Sequence, residues 1–348
     1  MRRTVSKDGL NPLEHPDWDA ALARRPDFSF FHGAAWTRVL VETYGFTPLW
    51  QAGTGPAERP PLLPLMEADS WLRGRRAIAL PFTDECPPLC EAQEDCRPLF
   101  QAAKELGRAR GWKTIEVRGG RDDFPEAPAS LAYHGHSLSL GADEAKLFER
   151  MDGPARQAVR KAEKDGVTVE LSATEDATRA FYRLQCLTRK RHGLPPQPLD
   201  FFLNIWRFVL SQNQGIVALA RWQDQVVAGA VYFFLAGRAV YKFGASDLRW
   251  QQLRPNNVVM WEAMKWLAHR GVTTLSLGKT ALNNDGLRRF KLRLGAVEKR
   301  IEYVKFDLRR NHFIVEQDGI EGWHNRVFRR LPVFAARRAG ELLYKHWA

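Results

Sequence analysis

"IVALARWQDQVVAGAVYFFLAGRAVYKFGAS", residues 216–246, decides the fold. Three apolar runs rich in Val, Phe and Tyr are separated by Gln223-Asp224 and by Ala236-Gly237-Arg238, breaks of the kind that reverse a strand. The stretch reads as a three-strand antiparallel meander whose middle run is buried. "LRWQQLRPNN" (248–257) follows as a loop, and Pro255 and Asn256 open a helix. "VVMWEAMKWLAHR" (258–270) continues it with apolar residues on more than one face, so it should be well buried. Gly271 stops it. "VTTLSLG" (272–278) is a strand, "LRRFKLRLGA" (287–296) a short cationic helix, and "IEYVKFDL" (301–308) another strand. Three strands, helix, strand, short helix, strand is the order of an α/β sheet with helices packed on it.

A chain of 348 residues exceeds what one core usually supports, so two domains are expected. Apolar content of 45% and 12 Trp argue for globular packing and against disorder. A formal charge of +12 suits a surface that meets nucleic acid, nucleotides or anionic lipid. The N-terminus has two arginines but no apolar core, so it does not read as a secretory signal. The longest apolar stretch, "VVAGAVYFFLAG" (226–237), is too short to span a bilayer as a helix. A cytoplasmic protein is expected, and four cysteines fit a reducing compartment. Cys86, Cys90 and Cys96 cluster without zinc-ribbon spacing or an evident fourth ligand. No metal is expected, and Cys186 is a weaker candidate still for covalent chemistry.

The first half looks like a worn copy of the second. "RGWKTIEV" (110–117) and "RGVTTLSL" (270–277) share Arg-Gly-x-x-Thr-apolar-x-apolar, and each follows a helical segment. "PPLLPL" (60–65) and "AIALPFTD" (77–84) supply earlier strands of that half. Between the halves, Pro154–Lys164 reads as a basic helix on which Arg156 and Arg160 share a face and Lys161 adjoins them. The tail, "WHNRVFRRLPVFAARRAGELLYKHWA" (323–348), mixes aromatics with arginines, and Pro332 divides it into two short helices. An apolar strip beside arginines suits an interfacial helix; the alternative is a strip packed on the first domain.

"RQAVRKAEKDGV" (156–167), "TRKRHGLPPQPLDFF" (188–202), "RPNNVVMWEAMKWLAHRG" (254–271) and "GLRRFKLRLGA" (286–296) occur in an order and spacing that resembles the FemABX-like group of the GNAT acyltransferase superfamily. The resemblance covers roughly residues 30–308. It implies an α/β fold of two tandem GNAT-like domains, with mixed, largely antiparallel sheets flanked by helices. The expected divisions are 1–150, 151–308 and a basic amphipathic tail, 309–348. The family's best-studied members move an amino acid from aminoacyl-tRNA onto an amine of a peptidoglycan precursor. In the family's Arg-His-Gly motif the arginine contacts acceptor phosphate, which corresponds to Arg191 of Arg191-His192-Gly193. The family's Phe-Lys places a lysine at the reacting carbonyl, which corresponds to Lys291. The sequence also departs from the pattern: Leu40 stands where precursor-binding members carry a basic residue, and no carboxylate follows Val117 until Asp122.

Acyl transfer to an amine needs a neutral amine, an activated carbonyl and a stabilised oxyanion. A tRNA ester or a CoA thioester is already activated, so positioning and one electrostatic contact can suffice. Lys291 is the catalytic candidate for that contact. Arg191 can grip phosphate in a bidentate manner. His192, Tyr241, Lys242 and Asn256 join it as candidate substrate-binding residues. Arg156, Arg160 and Lys161 suit a tRNA backbone, read by charge and shape. The loop 248–257 contains no glycine and Pro255 removes an amide donor, unlike the pyrophosphate loop of CoA-binding GNAT proteins. The expectation is an N-acyltransferase of cell-envelope or glycan biosynthesis. It needs no cofactor beyond an acyl donor, aminoacyl-tRNA ahead of acyl-CoA. Its acceptor is an amine, nucleotide- or lipid-linked, and the tail offers peripheral contact with the inner face of the membrane. The reading from another class is a non-catalytic basic module that docks on membrane or RNA; it requires no cleft around Lys291.

Overall fold

A computed structural model describes residues 9–53, 59–316 and 323–347. The first eight residues, the stretch 317–322 and Ala348, all covered by the reading above, lie outside the described residues. The chain forms two compact units. Unit 1 comprises 1–134, 300–319 and 345–348; unit 2 comprises 135–299 and 320–344. The expected boundary at 150/151 therefore falls within unit 2, and residues 309–348 are shared between the units.

In chain order, unit 1 begins with helices α1 (Trp18–Ala23) and α2 (Ala34–Tyr44). Short strands β1 (Thr47–Pro48), β2 (Gln51–Ala52), β3 (Leu62–Leu63), β4 (Met66–Ala68) and β5 (Arg76–Ile78) follow. Next come α3 (Gln93–Arg110), β6 (Thr114–Arg118) and β7 (Leu131–Ser139), which runs on into unit 2. Unit 2 continues with α4 (Glu144–Arg150), α5 (Gly153–Lys164), β8 (Thr168–Ser172), α6 (Glu175–Arg191) and α7 (Leu199–Ile205). Then come β9 (Gly215–Trp222), β10 (Gln225–Leu235), β11 (Arg238–Ser246), α8 (Pro255–His269), β12 (Thr274–Ala281) and α9 (Asp285–Arg293). Strand β13 (Val297–Asp307) returns to unit 1, where β14 (His312–Phe313) pairs with it; α10 (Trp323–Arg330) and α11 (Val333–Leu343) belong to unit 2.

The sheet of unit 1 has the order β1-β4-β5-β6-β13, antiparallel except for β5 beside β6. Its strands before α3 are short because Pro60, Pro61, Pro64 and Pro81 remove ladder donors. Leu63, Leu65, Leu99, Ile115, Val117 and Val304 lie in its core. Cys90 and Cys96 form a disulfide, Cα atoms 6.2 Å apart, that ties the approach to α3 to its first turn. Sequence spacing gave no indication of that pairing. Among the described residues no group of three His, Cys, Asp or Glu side chains is placed to hold a metal.

The sheet of unit 2 has the order β12-β11-β10-β9-β8, antiparallel apart from β11 beside β12. The meander is confirmed. Gln223 and Asp224 (φ 48° and 63°) and Ala236 and Gly237 (φ 43° and 79°) have the left-handed pairs that two-residue hairpins require. Ile216, Ala218 and Ala220 share a core with α5 and α8. On the other face the Phe181 ring of α6 lies over Gly229, beside Leu219 of β9. Helix α8 is buried at Val258, Val259, Met260, Trp261, Ala263, Met264 and Leu267, as its two apolar faces predicted. Pro255 starts it and Gly271, at φ 76°, follows its end.

The tail packs on α6 within unit 2, where the sequence reading had offered the first domain as its support. Two glycines explain this. A side chain on Gly193 would meet the Asn325 carbonyl at 2.3 Å, and one on Gly340 would meet the Pro196 carbonyl at 2.0 Å, so backbone lies on backbone. Arg337 adds a cation–π contact to Tyr182, 5.3 Å from the ring centre.

Candidate functional site

The parallel pairing of β11 and β12 is short. Arg238 faces Thr274, Ala239 faces Leu275 and Val240 faces Ser276, and there the pairing ends. Both strands run on, β11 to Ser246 and β12 to Ala281, so a gap opens between them. A bulge at Lys242 bends β11 at that point: Val231 pairs with Phe243 and Tyr232 with Tyr241, leaving Lys242 as the extra residue. β12 is kinked by Gly278, whose φ of 68° is left-handed and whose amide donates to Ser276 Oγ at 3.3 Å.

Lys291 sits at that kink. Asn284 caps α9 by accepting from the Leu287 amide, and the helix turns Lys291 onto β12, where it is 3% exposed. Its Nζ donates to the carbonyls of Gly278 and Lys279, 3.1 Å each. A buried ammonium held by two carbonyls is an oriented charge beside the gap. One face of α9 thus carries a positioned cation. The neighbouring turn carries Arg288, which makes a bidentate ion pair with Glu298 at 2.7 and 2.9 Å. Glu298 also meets the buried His136 ring at 3.1 Å. His136 and Glu298 were not singled out from sequence; Glu298 opens β13 just after α9, whereas His136 comes from β7, far away in the chain, and only the fold brings it to Glu298.

The other predicted residues divide. Tyr241 is half-buried: its hydroxyl folds back against Gly244, and desolvation pushes its pKa up to about 12. Lys242 lies half-buried with Nζ 5.3 Å from the Phe243 ring centre. Asn256 is exposed in the first turn of α8 and donates to Ser246 Oγ at 3.4 Å, linking that helix end to the end of β11. These three border the gap. Arg191 and His192 end α6, and Arg191 Nη2 is 3.3 Å from His192 Nε2. Burial first, then Arg191, Arg189 and Arg329, hold the His192 pKa below its usual value, so the ring stays neutral among three guanidinium groups. Asn325 donates to the His192 carbonyl at 3.4 Å, which places α10 over this cationic corner. Arg191 and Lys291 are positioned by different elements, the end of α6 and the last turn of α9.

On α5, Ala155, Val159 and Ala162 are buried while Arg160 and Lys161 are exposed and Arg156 is half-exposed. Lys161 is tied to Asp165 at 2.6 Å and Arg160 lies over Phe148. Arg293 at the end of α9 reaches the Asp152 cap of α5 at 3.4 Å, so the two basic helices are joined. A separate cavity of about 520 Å3 opens between α6 and the β8–β10 edge; Ala177, Leu184 and Val226 line it beside the Arg221–Glu170 and Arg249–Asp247 pairs. None of the predicted site residues lines it.

Residues 153–292 match the family described as "Acetyltransferase (GNAT) domain". The matched part of the chain contains β11, α8, β12 and Lys291. Over the longer span the fold is that of FemX: 16% identity, covering 87% of this chain and 96% of FemX, with a TM-score of 0.66. A candidate lysylphosphatidylglycerol synthetase from Agrobacterium fabrum is similar through its C-terminal domain: 15% identity, 84% and 90% coverage, TM-score 0.53. A tandem GNAT protein from the clavulanic acid biosynthesis pathway is similar at 10% identity, 79% and 88% coverage, TM-score 0.50. No curated protein matches the sequence significantly.

Proposed function

We propose that the protein forms an amide by moving an aminoacyl group from aminoacyl-tRNA to an amine acceptor, at the gap between β11 and β12. The observation that carries this reading is Lys291, an ammonium fixed by two carbonyls at the kink of β12. In the step, the neutral amine nitrogen attacks the carbonyl carbon and a C–N bond forms. The ester C–O bond breaks, the ribose oxygen leaves with its electron pair, and the amine's proton is passed to it or to solvent. The oxyanion formed on the way is stabilised by the Lys291 charge, which needs no reorganisation because its carbonyl partners hold it.

The loop before α8 supports tRNA over CoA as donor. Residues Leu248–Leu253 form a 3-10 turn, with the Trp250 amide donating to the Asp247 carbonyl and the Arg254 amide to that of Gln251. The Arg249 amide goes to the Asp247 side chain. Amides turned inward in this way do not cradle a pyrophosphate. Arg156 and Arg160 on α5, with Arg293 beside them, suit a phosphodiester backbone. The corner of Arg189, Arg191 and Arg329 suits a phosphate-bearing acceptor, nucleotide- or lipid-linked, of the kind envelope biosynthesis uses. The outer face of α11, where Phe334 and Leu342 are each 72% exposed with Arg338 between them, suits peripheral membrane contact. No described helix is long and apolar enough to cross a membrane. The acyl-CoA reading keeps one supporting observation, the acetyltransferase name of the family matched by residues 153–292.

Purified protein, given charged tRNA or acyl-CoA with a panel of amine acceptors, tests the proposal by mass spectrometry of the product. The expected result is an acceptor heavier by one aminoacyl residue with tRNA and no product with CoA donors. Transfer from acyl-CoA, with micromolar CoA binding by calorimetry, would replace tRNA by CoA as donor.

A further inference from the structure

The turn joining β4 to β5, Asp69–Arg75, presents two apolar side chains to solvent. Trp71 is 79% exposed and Leu72 is 53% exposed. Adjacent residues of this size are seldom left outside in a soluble surface without a partner. The turn is rigidly built. The Gly74 amide donates to the Ser70 carbonyl at 2.6 Å and the Arg73 amide to Ser70 Oγ at 3.1 Å. The same hydroxyl lies 2.9 Å from His346 Nδ1, and the Trp71 ring meets the His346 ring edge-on at 5.5 Å. Arg76, buried behind the turn, donates to the His346 carbonyl at 3.2 Å. His346 thus buttresses the hairpin from one side, and Trp71 and Leu72 remain outward.

The surroundings are cationic. Arg73, Arg75 and Lys345 are exposed, and the Lys113 side chain lies across Gly74. Asp69, which pairs with Arg75 at 3.0 Å, is the acidic group of the turn. A Trp-Leu tip ringed by arginine and lysine meets the needs of a bilayer surface on both counts. Trp settles at the headgroup level, Leu reaches the acyl region, and the cations meet anionic phosphates. A nucleic acid would use the indole for stacking but leaves exposed Leu72 without a role.

We infer that the β4–β5 hairpin tip of unit 1 is a membrane-docking element, with Trp71 and Leu72 inserted into the interface of an anionic bilayer and Arg73 among its headgroups. It is separate from the α11 face and independent of the transfer chemistry. The test is co-sedimentation of the full chain with vesicles of neutral phosphatidylcholine, with and without one-third phosphatidylglycerol, the added lipid being an order-of-magnitude mimic of an anionic leaflet. The expected result is salt-sensitive binding to the anionic vesicles, weakened at least about tenfold by Leu72→Ser and further by Trp71→Ser with Leu72→Ser. Phe334→Ser with Leu342→Ser is expected to leave the tip's share intact. A fluorophore on Leu72→Cys reports insertion directly, since the free cysteines Cys86 and Cys186 are buried; a blue shift with anionic vesicles is expected. Equal binding of wild type and Leu72→Ser, no binding by either, no blue shift, or loss of tRNA binding in place of vesicle binding would each overturn the inference. Transfer to a soluble acceptor is expected to be unchanged in Leu72→Ser, so failure of the docking role and failure of the transferase reading are read in different assays.

Discussion

The crossovers β5–α3–β6 and β11–α8–β12 begin alike and end differently. Each helix is followed by a left-handed glycine, Gly111 at φ 72° and Gly271 at φ 76°. The parallel registers correspond: Ala77 faces Ile115 and Ile78 faces Glu116, as Ala239 faces Leu275 and Val240 faces Ser276. Both ladders stop there. In unit 1 the Ala79 amide still reaches the Glu116 carbonyl, and Leu80 and Phe82, both at positive φ, turn the chain away. Beyond that point Glu116 pairs with Arg118 at 2.7 Å and Lys305 at 3.7 Å, and Arg118 lies over Tyr303. The region is closed by mutually satisfied charges. In unit 2 the strands stay apart, β12 kinks at Gly278, and a helix delivers Lys291. Unit 1 has only the 3-10 turn Arg121–Asp123 at the corresponding place in the chain. One copy of the crossover keeps the scaffold, and the other adds a charge at its open end.

The sharpest way to break this contrast is Lys291→Met. It is expected to lower the transfer rate by about a hundredfold, the usual cost of one oxyanion contact. Asp123→Asn in the matching turn of unit 1 should leave the rate unchanged. Single-turnover rates with saturating donor decide it, and similar losses in both variants would dissolve the distinction between the copies.

A second difference is carried by pH. His32 of unit 1 is fully enclosed; its Nε2 donates to the Pro87 carbonyl at 2.9 Å and Nδ1 accepts from the Ser29 amide at 3.0 Å. Burial lowers its pKa to about 4. The folded state therefore takes up the proton less readily than the unfolded chain, whose histidine titrates near 6.5. Stability due to this group is present above that value and lost as pH falls toward 4, by about 3 kcal/mol in all. Denaturant melts at pH 7 and pH 4.5 should show the drop, and His32→Gln should flatten it.

The smallest contrast concerns two buried threonines. Thr83 of unit 1 donates to the Leu80 carbonyl at 2.7 Å, whereas Thr280 of β12 is buried with no hydrogen-bond partner for its hydroxyl. Thr83→Val should cost about 1–2 kcal/mol, and Thr280→Val should change stability by less than about 0.5 kcal/mol or raise it. Equal costs by thermal denaturation would place an unseen partner on Thr280.

Local patterns were legible in the sequence. The meander, the burial of α8 on more than one face, its stop at Gly271 and the break at Pro332 follow from residue spacing and from backbone chemistry within a few positions. The Arg-Gly-x-x-Thr repeat pointed to the paired crossovers. Contacts between distant segments were not legible. Nothing near Lys291 in sequence announces the carbonyls of Gly278 and Lys279, and nothing near Glu298 announces its contact with His136. The support of the tail by Gly193 and Gly340 depends on close backbone approach, which a glycine permits but does not specify. The Cys90–Cys96 bridge depends on where α3 starts relative to the preceding loop.

The interleaving of the units has a consequence for synthesis on the ribosome. Unit 1 lacks its strand β13 until residue 307 has been made, and unit 2 lacks α10 and α11 until residue 343. Domains generally fold as units while the chain emerges. Here neither can close while the nascent chain is short: the first segment of unit 1 must wait through residues 135–299 for its missing strand. Unit 1 gains β13, and unit 2 gains α10 and α11, only after the gap and its lysine have been synthesised.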